Sequence, residues 1–450
     1  MRNFFPMGHC KNIHFSCDIP VRYHVDVCVI GAGPAGCAAA TCAAEQGASV
    51  LLIESSAMAG GMSTAARVPM FMPVAAGGKL LCEGYGRRIL TGLRKMSAEI
   101  GYDCGNKINA EHLRFLYEEL LESAGVKLLY YTTLAATITE AGTVRQAIFS
   151  APGGMFAAEA KVFIDATGDG TLAVRSGASY ENGAESGEVM PATLCPVWAG
   201  VDLETYKNGG CCSHNDEKMP ALLEEAFRSG ELPQEDYHHA GVFAVSPNIM
   251  VGNFSHVFNI DATDEESLTA GICENRKLLR AYEKFYRRHV PGFANAEIAG
   301  SGSLLGVRES RRIIGDYQLT REDYRARRHF DDEIGEFNFP ADLHPPRPGR
   351  AELLEHKRIY HKERYAPGET YGIPFRIMLP ENLSNVLTCG RCVSTDRYVH
   401  ASIRVIPACY ITGQAAGIAA AMAVDRNLNL RELPVCDIRS ALPESQEWKF

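Results

Sequence analysis

The residues whose chemistry is easiest to interpret are three glycines and one glutamate near the start of the chain. Gly31 permits a tight turn, Gly33 lets the backbone approach a pyrophosphate, and Gly36 lets a helix pack closely on a strand. Glu54 follows Gly31 by 23 residues, where a carboxylate accepts hydrogen bonds from ribose hydroxyls and repels a 2′-phosphate. These residue types at this spacing predict a dinucleotide-binding site.

A strand, a helix and a second strand must hold these four residues, and the surrounding sequence predicts all three. The apolar residues 25–30 predict a buried parallel strand, and Pro34 suits the first turn of the helix that follows. Residues 48–53 predict the second strand, which ends at Glu54. The helix N-terminus offers unpaired N–H groups to phosphates, as a βαβ dinucleotide-binding unit requires.

A second glycine pair indicates which dinucleotide is bound. Gly60 and Gly61, followed by Met62, come shortly after Glu54. An NAD site does not need this pair, whereas the longer FAD molecule can use it for close backbone contact. We therefore predict FAD as the cofactor.

Length and composition narrow the class of protein. The chain has 450 residues, of which 46% are hydrophobic and 22% charged, as in a globular protein of two or three domains. A formal charge of −9 and scattered basic residues argue against nucleic acid as a partner. No apolar run reaches the length of a membrane span or a signal peptide core, so we predict a cytoplasmic protein without a membrane segment.

The chain is predicted to fold as an α/β protein, with a Rossmann-like FAD-binding domain and an inserted α+β substrate domain. Residues 1–180 and 371–450 are assigned to the FAD-binding domain, and residues 181–370 to the substrate or cap domain. The predicted elements beyond the first unit are helices over residues 111–123, 264–289 and 407–424 and strands over residues 126–138, 143–150, 162–164, 248–260 and 385–388.

Two cysteine patterns have alternative interpretations. Cys389 and Cys392 have the spacing of a thioredoxin-like dithiol, but they follow an apolar strand and do not open a thioredoxin-like unit, which favours buried thiols. Residues 211–214 (CCSH) resemble metal ligands, but no second cluster completes a site, so a polar loop is favoured and no metal is predicted.

Further motifs follow the glycine turn along the rest of the chain. They are residues 165–170 (DATGDG), 306–315 (GVRESRRIIG), 371–376 (YGIPFR), 390–404 and 413–417 (GQAAG). With residues 25–62, their order resembles that of FAD-dependent oxidoreductases among the glutathione-reductase-like flavoproteins, in the branch that lacks a separate NAD(P)H domain.

The resemblance implies a set of FAD contacts. It assigns residues 31–36 and Glu54 to the ADP half, residues 60–62 to the middle of the cofactor and residues 166–168 to the adenine side. It assigns Gly390 and Arg391 to the ribityl and pyrophosphate region. The full predicted set is Gly31, Ala32, Gly33, Pro34, Ala35, Gly36, Glu54, Ser55, Gly60, Gly61, Met62, Leu134, Ala166, Thr167, Gly168, Gly390, Arg391 and Ile406.

Non-covalent FAD is expected from the positions of the histidines. Related proteins that attach FAD covalently commonly use a histidine near the second glycine pair. No histidine occurs between His24 and His112.

Arg404 and His400 are the first candidates for catalysis. Flavoproteins of the resembled kind place the start of the last helix against the flavin pyrimidine, where its partial positive charge suits reduced flavin. Arg404, just before that helix, would then orient a carboxylate or carbonyl substrate, and His400 would move a proton. Alternatively, Arg404 pairs with a nearby carboxylate and His400 is an ordinary buried or surface histidine.

Other candidates are open to two interpretations. Arg308 and Arg311 form part of a basic cluster around Glu309, which suits a substrate clamp or a structural ion-pair network equally. Asn253 and His256 lie on a predicted strand and would contact substrate if its inner face covers the flavin, or face solvent otherwise.

The predicted function is hydride transfer between FAD and a small polar substrate, carboxylated or sugar-like, as in a dehydrogenase or reductase. Only one dinucleotide fingerprint is present, so electrons are expected to arrive by direct substrate oxidation or from a redox partner protein. The expected partners are a small-molecule substrate and a redox partner protein or external electron acceptor. The alternative is an electron-transfer subunit resembling the flavoprotein of heterodisulfide reductases, which usually carries iron–sulfur cysteine motifs that this chain lacks.

Overall fold

The computed structural model describes residue 14 and residues 16–211, 218–239, 241–359 and 363–448. The strands, in chain order, are β1 Val21–Ile30, β2 Val50–Ile53, β3 Ala75–Ala76, β4 Lys79–Leu80, β5 Lys127–Leu129, β6 Thr133–Glu140, β7 Thr143–Ala151, β8 Gly154–Asp165, β9 Tyr180–Asn182, β10 Ala192–Thr193, β11 Pro196–Ala199, β12 Gly241–Ser246, β13 Ile249–Asn253, β14 His256–Val257, β15 Glu297–Ser301, β16 Arg311–Ile313, β17 Glu333–Phe337, β18 Tyr371–Pro374 and β19 Val386–Thr388.

The helices occur between these strands and after them. They are α1 Pro34–Glu45, α2 Tyr85–Glu99, α3 Ala110–Ser123, α4 Thr171–Arg175, α5 Leu203–Asn208, α6 Lys218–Ser229, α7 Glu265–His289, α8 Arg321–Ala326, α9 Arg350–Ile359, α10 Arg397–Ile403, α11 Ile406–Arg426 and α12 Val435–Ala441.

The main sheet has the strand order β5-β2-β1-β8-β7-β6, and β19 also pairs with β8. Strands β1, β2, β5, the second half of β8 and β19 are parallel, whereas β6 and β7 pair antiparallel at one edge. The carboxyl ends of β1, β2, β8 and β19 therefore lie at one edge of the sheet, where ligands of doubly wound folds bind. The predicted α/β class with a Rossmann-like domain is confirmed.

Helices α1 and α11 pack on each other over the parallel strands. Their close approach requires glycine on α11, because a Cβ at Gly413 would lie 2.2 Å from the carbonyl oxygen of Ala35. A Cβ at Gly417 would lie equally close to the oxygen of Ala39. Helix α11 is long and apolar enough to cross a membrane by composition, but it is almost entirely buried within the protein.

A second unit is built around the antiparallel sheet β12-β13-β11-β15, which has its own hydrophobic core. Trp198 and Phe293 are fully buried there, with ring centroids 5.1 Å apart, and Tyr286 of α7 packs against both. The predicted boundary of the inserted domain at residue 370 stays a prediction. In the structure, Leu319 and Phe337 belong to the core of the FAD-binding unit.

Most predicted elements agree with the structure within a few residues. Two predicted strands are interrupted. Residues 126–138 form β5 and β6 with Tyr131 between them in a left-handed conformation (φ 52°), and residues 248–260 form β13 and the short β14, separated at Ser255 (φ 68°). The uniform alternation expected over residues 248–260 is therefore wrong, because the strand is interrupted after β13 and three consecutive residues of β13 are buried.

Candidate functional site

One large cavity, of about 1990 Å³, runs from the carboxyl ends of β1, β2 and β8 to the second sheet. Typical small-molecule pockets measure about 300–1,000 Å³, so this cavity has room for a dinucleotide and a second ligand together. The predicted FAD contacts among its lining residues are Gly31, Gly33, Pro34, Ala35, Glu54, Ser55, Gly61, Met62, Leu134, Ala166, Thr167, Gly168, Gly390, Arg391 and Ile406.

The turn between β1 and α1 explains its glycines individually. Gly31 has φ +96°, and a Cβ there would lie 2.6 Å from the oxygen of Ala166. A Cβ at Gly36 would lie 1.8 Å from the oxygen of Gly31, so only glycine allows the first turn of α1 to pack this closely on the preceding turn. Gly33 is different, because its Cβ would meet nothing nearer than 3.9 Å and would extend into the cavity.

Glu54 is held at the end of β2 by backbone donors. Its Oε2 accepts a hydrogen bond from the N–H of Ala32 at 2.9 Å, and its Oε1 accepts one from the N–H of Ser56 at 2.7 Å. The residue is buried and lines the cavity. Oγ of Ser55 also donates to Oε1 at 3.3 Å. A carboxylate has about four acceptor positions, so about one remains for a ribose hydroxyl.

The second glycine pair lies beside the first turn. Gly60 and Gly61 have φ of +101° and +48°, and a Cβ at Gly61 would lie 3.1 Å from the Cα of Gly33. The N–H of Gly60 donates to the oxygen of Ala32 at 2.7 Å. Ala32, Gly36 and Gly60 are therefore structural parts of the two turns and do not themselves line the cavity.

Arg391 connects the turn after β8, which lines the cavity, to the segment that leads out of the second unit. Its Nε donates to the oxygen of Gly168 at 2.9 Å, and its Nη1 donates to the oxygen of Val307 at 2.6 Å. The guanidinium also pairs with Asp169. This arrangement fixes the turn after β8 against the segment that carries Arg308.

Arg308 lies in the cavity wall at the end nearer the second sheet. Its Nη1 donates to the oxygen of Pro191 at 2.8 Å and to Oγ1 of Thr193 at 2.7 Å. Its Nη2 lies 3.0 Å from Nε2 of His256. Burial lowers the pKa of Arg308 to about 10, with Arg404 contributing in the same direction. Among the residues that the structure describes, no carboxylate forms an ion pair with this guanidinium.

His256 is fully buried between Arg308 and Asp236. Its Nδ1 lies 2.9 Å from Oδ2 of Asp236. Because a carboxylate only accepts hydrogen bonds, Nδ1 carries the proton and Nε2 accepts from Arg308. The pKa of Asp236 is held below its ordinary value by His256, against the opposing effect of burial. Asp236 thus compensates the charge of Arg308 through the histidine.

Arg404 lies at the end of α10 and also lines the cavity. Its Nη2 donates to the backbone oxygen of Asp342 at 2.9 Å and to Oδ2 of Asp342 at 3.3 Å. Its buried Nε has no hydrogen-bond partner among the described residues. Burial lowers the pKa of Arg404, and Asp342 opposes that shift.

His344 completes this group, because its Nε2 lies 3.1 Å from Oδ2 of Asp342. The ring of His344 is buried and its centroid lies 4.1 Å from that of His238. Burial lowers the pKa of His238 to about 3, and His256 acts in the same direction. This part of the cavity therefore combines two arginines with two histidines whose pKa values are lowered.

The structure does not bring His400 and Arg311 into the cavity. His400 on α10 is fully buried and is not among the lining residues, and burial holds its pKa well below the usual range. Arg311 on β16 lies over the ring of Tyr180 at 5.3 Å and does not line the cavity either. Their predicted catalytic roles have no support from this geometry.

The two interpretations of the basic cluster apply to different residues. Glu309 is buried and pairs with Arg312 at 3.3 Å and with Arg397 at 2.8 Å, which is a structural ion-pair network. Arg308 takes no part in that network and lines the cavity. Asn253 also lines the cavity, whereas His256 acts behind it, so neither faces solvent.

The cysteine patterns can also be located. Cys389 and Cys392 are free, buried thiols, and burial raises the pKa of both well above the ordinary value. Cys211 lines the cavity, and residues 212–214 of the second pattern lie outside the described residues. Within the described ranges, no group of His, Cys, Asp or Glu has the arrangement of a metal site.

Sequence reasoning missed Asp236, His238, Asp342 and His344. They lie in loops without periodicity, and no motif marks them. The signal that could have been used is their type: two separate Asp/His pairs in a segment expected to cover a cofactor.

The chain is similar to one described protein family and to several solved structures. A family model described as FAD dependent oxidoreductase matches residues 26–442. No curated protein matches the chain. Solved structures that are similar include a geranylgeranyl bacteriochlorophyll reductase-like protein from Thermoplasma acidophilum, with 15% identity over 90% of this chain and 80% of that protein and a TM-score of 0.42. A flavin-dependent brominase has 14% identity, coverage of 93% and 83%, and a TM-score of 0.47.

A myxobacterial chondrochloren halogenase, described as a variant of FAD-dependent halogenases, has 13% identity over 93% of this chain and 78% of that protein and a TM-score of 0.44.

Proposed function

Because the chain belongs to the FAD-dependent oxidoreductase family, we propose that it transfers a hydride between non-covalently bound FAD and a small polar substrate with a carboxylate or sugar-like group. The family match confirms the predicted family, enzyme class and FAD cofactor. The observation that supports the finer proposal is one cavity that joins the dinucleotide-binding turn to a buried cationic end.

The residues at the cofactor end suit FAD. Gly33 leaves open space where a pyrophosphate would approach, and no side chain caps the N-terminus of α1. Glu54 presents a buried carboxylate to a ribose, and Gly61 brings a second glycine backbone against the first turn. Bound FAD supplies a reversible hydride acceptor.

The N-terminus of α11 opens at the same cavity. Val405 and Ile406 line it, and no side chain caps this helix. The free N–H groups and the helix dipole there stabilise negative charge, which develops on a flavin ring during reduction. Arg404, one residue before the helix cap, adds a full positive charge.

The arginines supply the substrate selectivity. Arg308 and Arg404 both line the cavity and both have lowered pKa values because of burial, so two cations lie in a poorly solvated wall. A substrate carboxylate would compensate this charge, and the guanidinium geometry would orient it. Asn253 and Thr193 offer polar groups for hydroxyls.

The test is anaerobic reduction of the purified protein. Protein holding FAD is mixed with glycolate, lactate, malate, glucose and galactose in turn, and loss of flavin absorbance is followed. We expect a hydroxy acid to bleach the flavin and denaturation to release FAD from the precipitated chain. Reduction only by a protein donor would favour the electron-transfer alternative, and flavin remaining on the precipitate would contradict non-covalent binding.

A further inference from the structure

A second Asp/His pair in the cavity is arranged differently from the pair behind Arg308. Nε2 of His344 lies 3.1 Å from Oδ2 of Asp342, and the same oxygen lies 3.3 Å from Nη2 of Arg404. His344 is 3% exposed and lines the cavity. The pair is thus connected to the cation that precedes α11.

The hydrogen bond to Asp342 determines which ring nitrogen carries the proton. A carboxylate accepts and does not donate, so the proton is on Nε2 and Nδ1 has a free lone pair. Nδ1 is buried and has no hydrogen-bond partner among the described residues. In His256 the other ring nitrogen, Nε2, accepts a hydrogen bond from Arg308, so the Asp236–His256 pair has no free ring nitrogen that could accept a proton.

We propose that His344 is the catalytic base of this site and that Asp342 is its positioning residue. The inference rests on the proposed function. In the direction of substrate oxidation, Nδ1 of His344 accepts the hydroxyl proton, the O–H electron pair forms the C=O bond, and the hydride leaves the same carbon for FAD. The alcohol is oxidised to a carbonyl by two electrons, and FAD is reduced by two.

The charges around His344 explain when it would accept a proton. In the free protein, burial holds the pKa of His344 well below its usual range, and His238 and Arg308 act in the same direction. Asp342 acts in the opposite direction, because it favours protonated His344. His256 lies further away, at 5.7 Å between ring centroids, and Arg404 lies beyond Asp342. A bound substrate carboxylate would compensate the two arginines and raise the pKa of His344 toward the working pH.

The variants His344→Gln and Asp342→Asn test this assignment in the FAD-loaded protein. The probe is the hydroxy acid that reduces the parental protein fastest among glycolate, lactate and malate. We expect retained FAD and a limiting rate of flavin reduction about 100-fold to 10,000-fold lower in His344→Gln. His329→Gln, an exposed histidine paired with Glu333, is the control and should keep the parental rate.

A pH profile distinguishes a base from a structural side chain. The limiting rate reports the enzyme with substrate bound, and the rate at low substrate reports the free enzyme. In the parental protein we expect the acidic limb to lie at a higher pH in the profile of the limiting rate than in the profile of the rate at low substrate, because bound substrate raises the pKa of His344. His344→Gln should lose this limb. An unchanged rate or an unchanged profile in a variant that holds FAD overturns the role of His344.

Failure of the proposed function gives a different result. No reduction of the parental protein by any hydroxy acid or sugar contradicts the proposed function itself. The tautomer is then still measured, by ¹⁵N NMR of histidine-labelled parental protein with His344→Gln used for assignment. A proton on Nε2 and none on Nδ1 supports the proposed arrangement, and a proton on Nδ1 overturns it, whether or not any hydroxy acid reduces the flavin.

Discussion

Replacing Arg404 by alanine should separate cofactor binding from chemistry. Arg404 lies between the substrate end of the cavity and the start of α11, and its side chain is 12% exposed. A charge-assisted contact in such a dry site contributes about 2.7–4 kcal/mol to the transition state. We therefore expect Arg404→Ala to reduce flavin about 100-fold to 1,000-fold more slowly while FAD remains bound.

The same substitution has a cost in stability that must be measured separately. It removes the ion pair with Asp342, and breaking a buried pair costs about 3–5 kcal/mol in the free energy of unfolding. Asp342 is 23% exposed and keeps its contact with His344, so the lower end of this range applies. Urea unfolding of FAD-saturated protein gives this value, and Arg404→Lys should recover part of it.

The assay is stopped-flow reduction with the rate expressed per bound FAD. Arg431→Ala is the matched control, because it removes an Arg–Asp pair with Asp316 at 2.8 Å that does not line the cavity. If Arg404→Ala molecules that still hold FAD react at the parental rate, the reasoning is refuted. Arg404 is then structural, and Arg308 becomes the principal candidate for the catalytic cation.

Further predictions concern the turn, the thiols and acid stability. Gly33→Val should abolish FAD retention because its side chain would occupy the pyrophosphate space, with Gly300→Val as control and a milder loss for Glu54→Gln, measured by the flavin-to-protein absorbance ratio. Cys389→Ala should keep the parental rate, since this buried thiol resists ionisation; a large loss would revive a redox role. Burial lowers the pKa of His400, so below about pH 6.5 this histidine takes up a proton in the unfolded chain but not in the folded protein. The free energy of unfolding should therefore fall by about 1.4 kcal/mol per pH unit below that pH, whereas the full stability is present above it. His400→Leu should remove that slope in urea unfolding at pH 7 to 5 and keep the rate of flavin reduction, whereas a slower rate would restore the predicted proton transfer.

The cofactor end could be predicted because its determinants are local in the sequence. A strand, a glycine turn and a helix within residues 25–45 fix their own geometry, and β2 brings Glu54 to the same edge through parallel pairing with β1. The long helix after Pro407 was predictable for the same reason, from a continuous run of small apolar residues.

The substrate end could be predicted only in part. Asp236, His256 and Arg308 come from three segments, and only the antiparallel packing of the inserted unit brings them together. No periodicity links a loop aspartate to a histidine 20 residues later. The strand is interrupted at Ser255, so simple alternation from β13 does not assign a face to His256.

Proximity in sequence misled the interpretation of His400. It precedes Arg404 by one helical turn, which suggests a shared environment. However, α10 is buried at every position from Tyr398 to Ile403, so a side chain within it is enclosed by protein, whereas Arg404 lies at its end and reaches the cavity. Access to the cavity therefore depends on whether a residue lies at the end of α10, and not on how near it is to Arg404 in the sequence.

Two arginines of the FAD-binding unit hold the segments that carry Arg308 and His344. Arg391 holds the oxygen of Val307 beside Arg308, and Arg404 holds Asp342 beside His344. Arg308 and His344 are therefore each held by an arginine of the FAD-binding unit through a neighbouring residue. A substrate would be placed relative to the flavin by the same side chains that bind its charge, which is how remote binding energy becomes useful for hydride transfer.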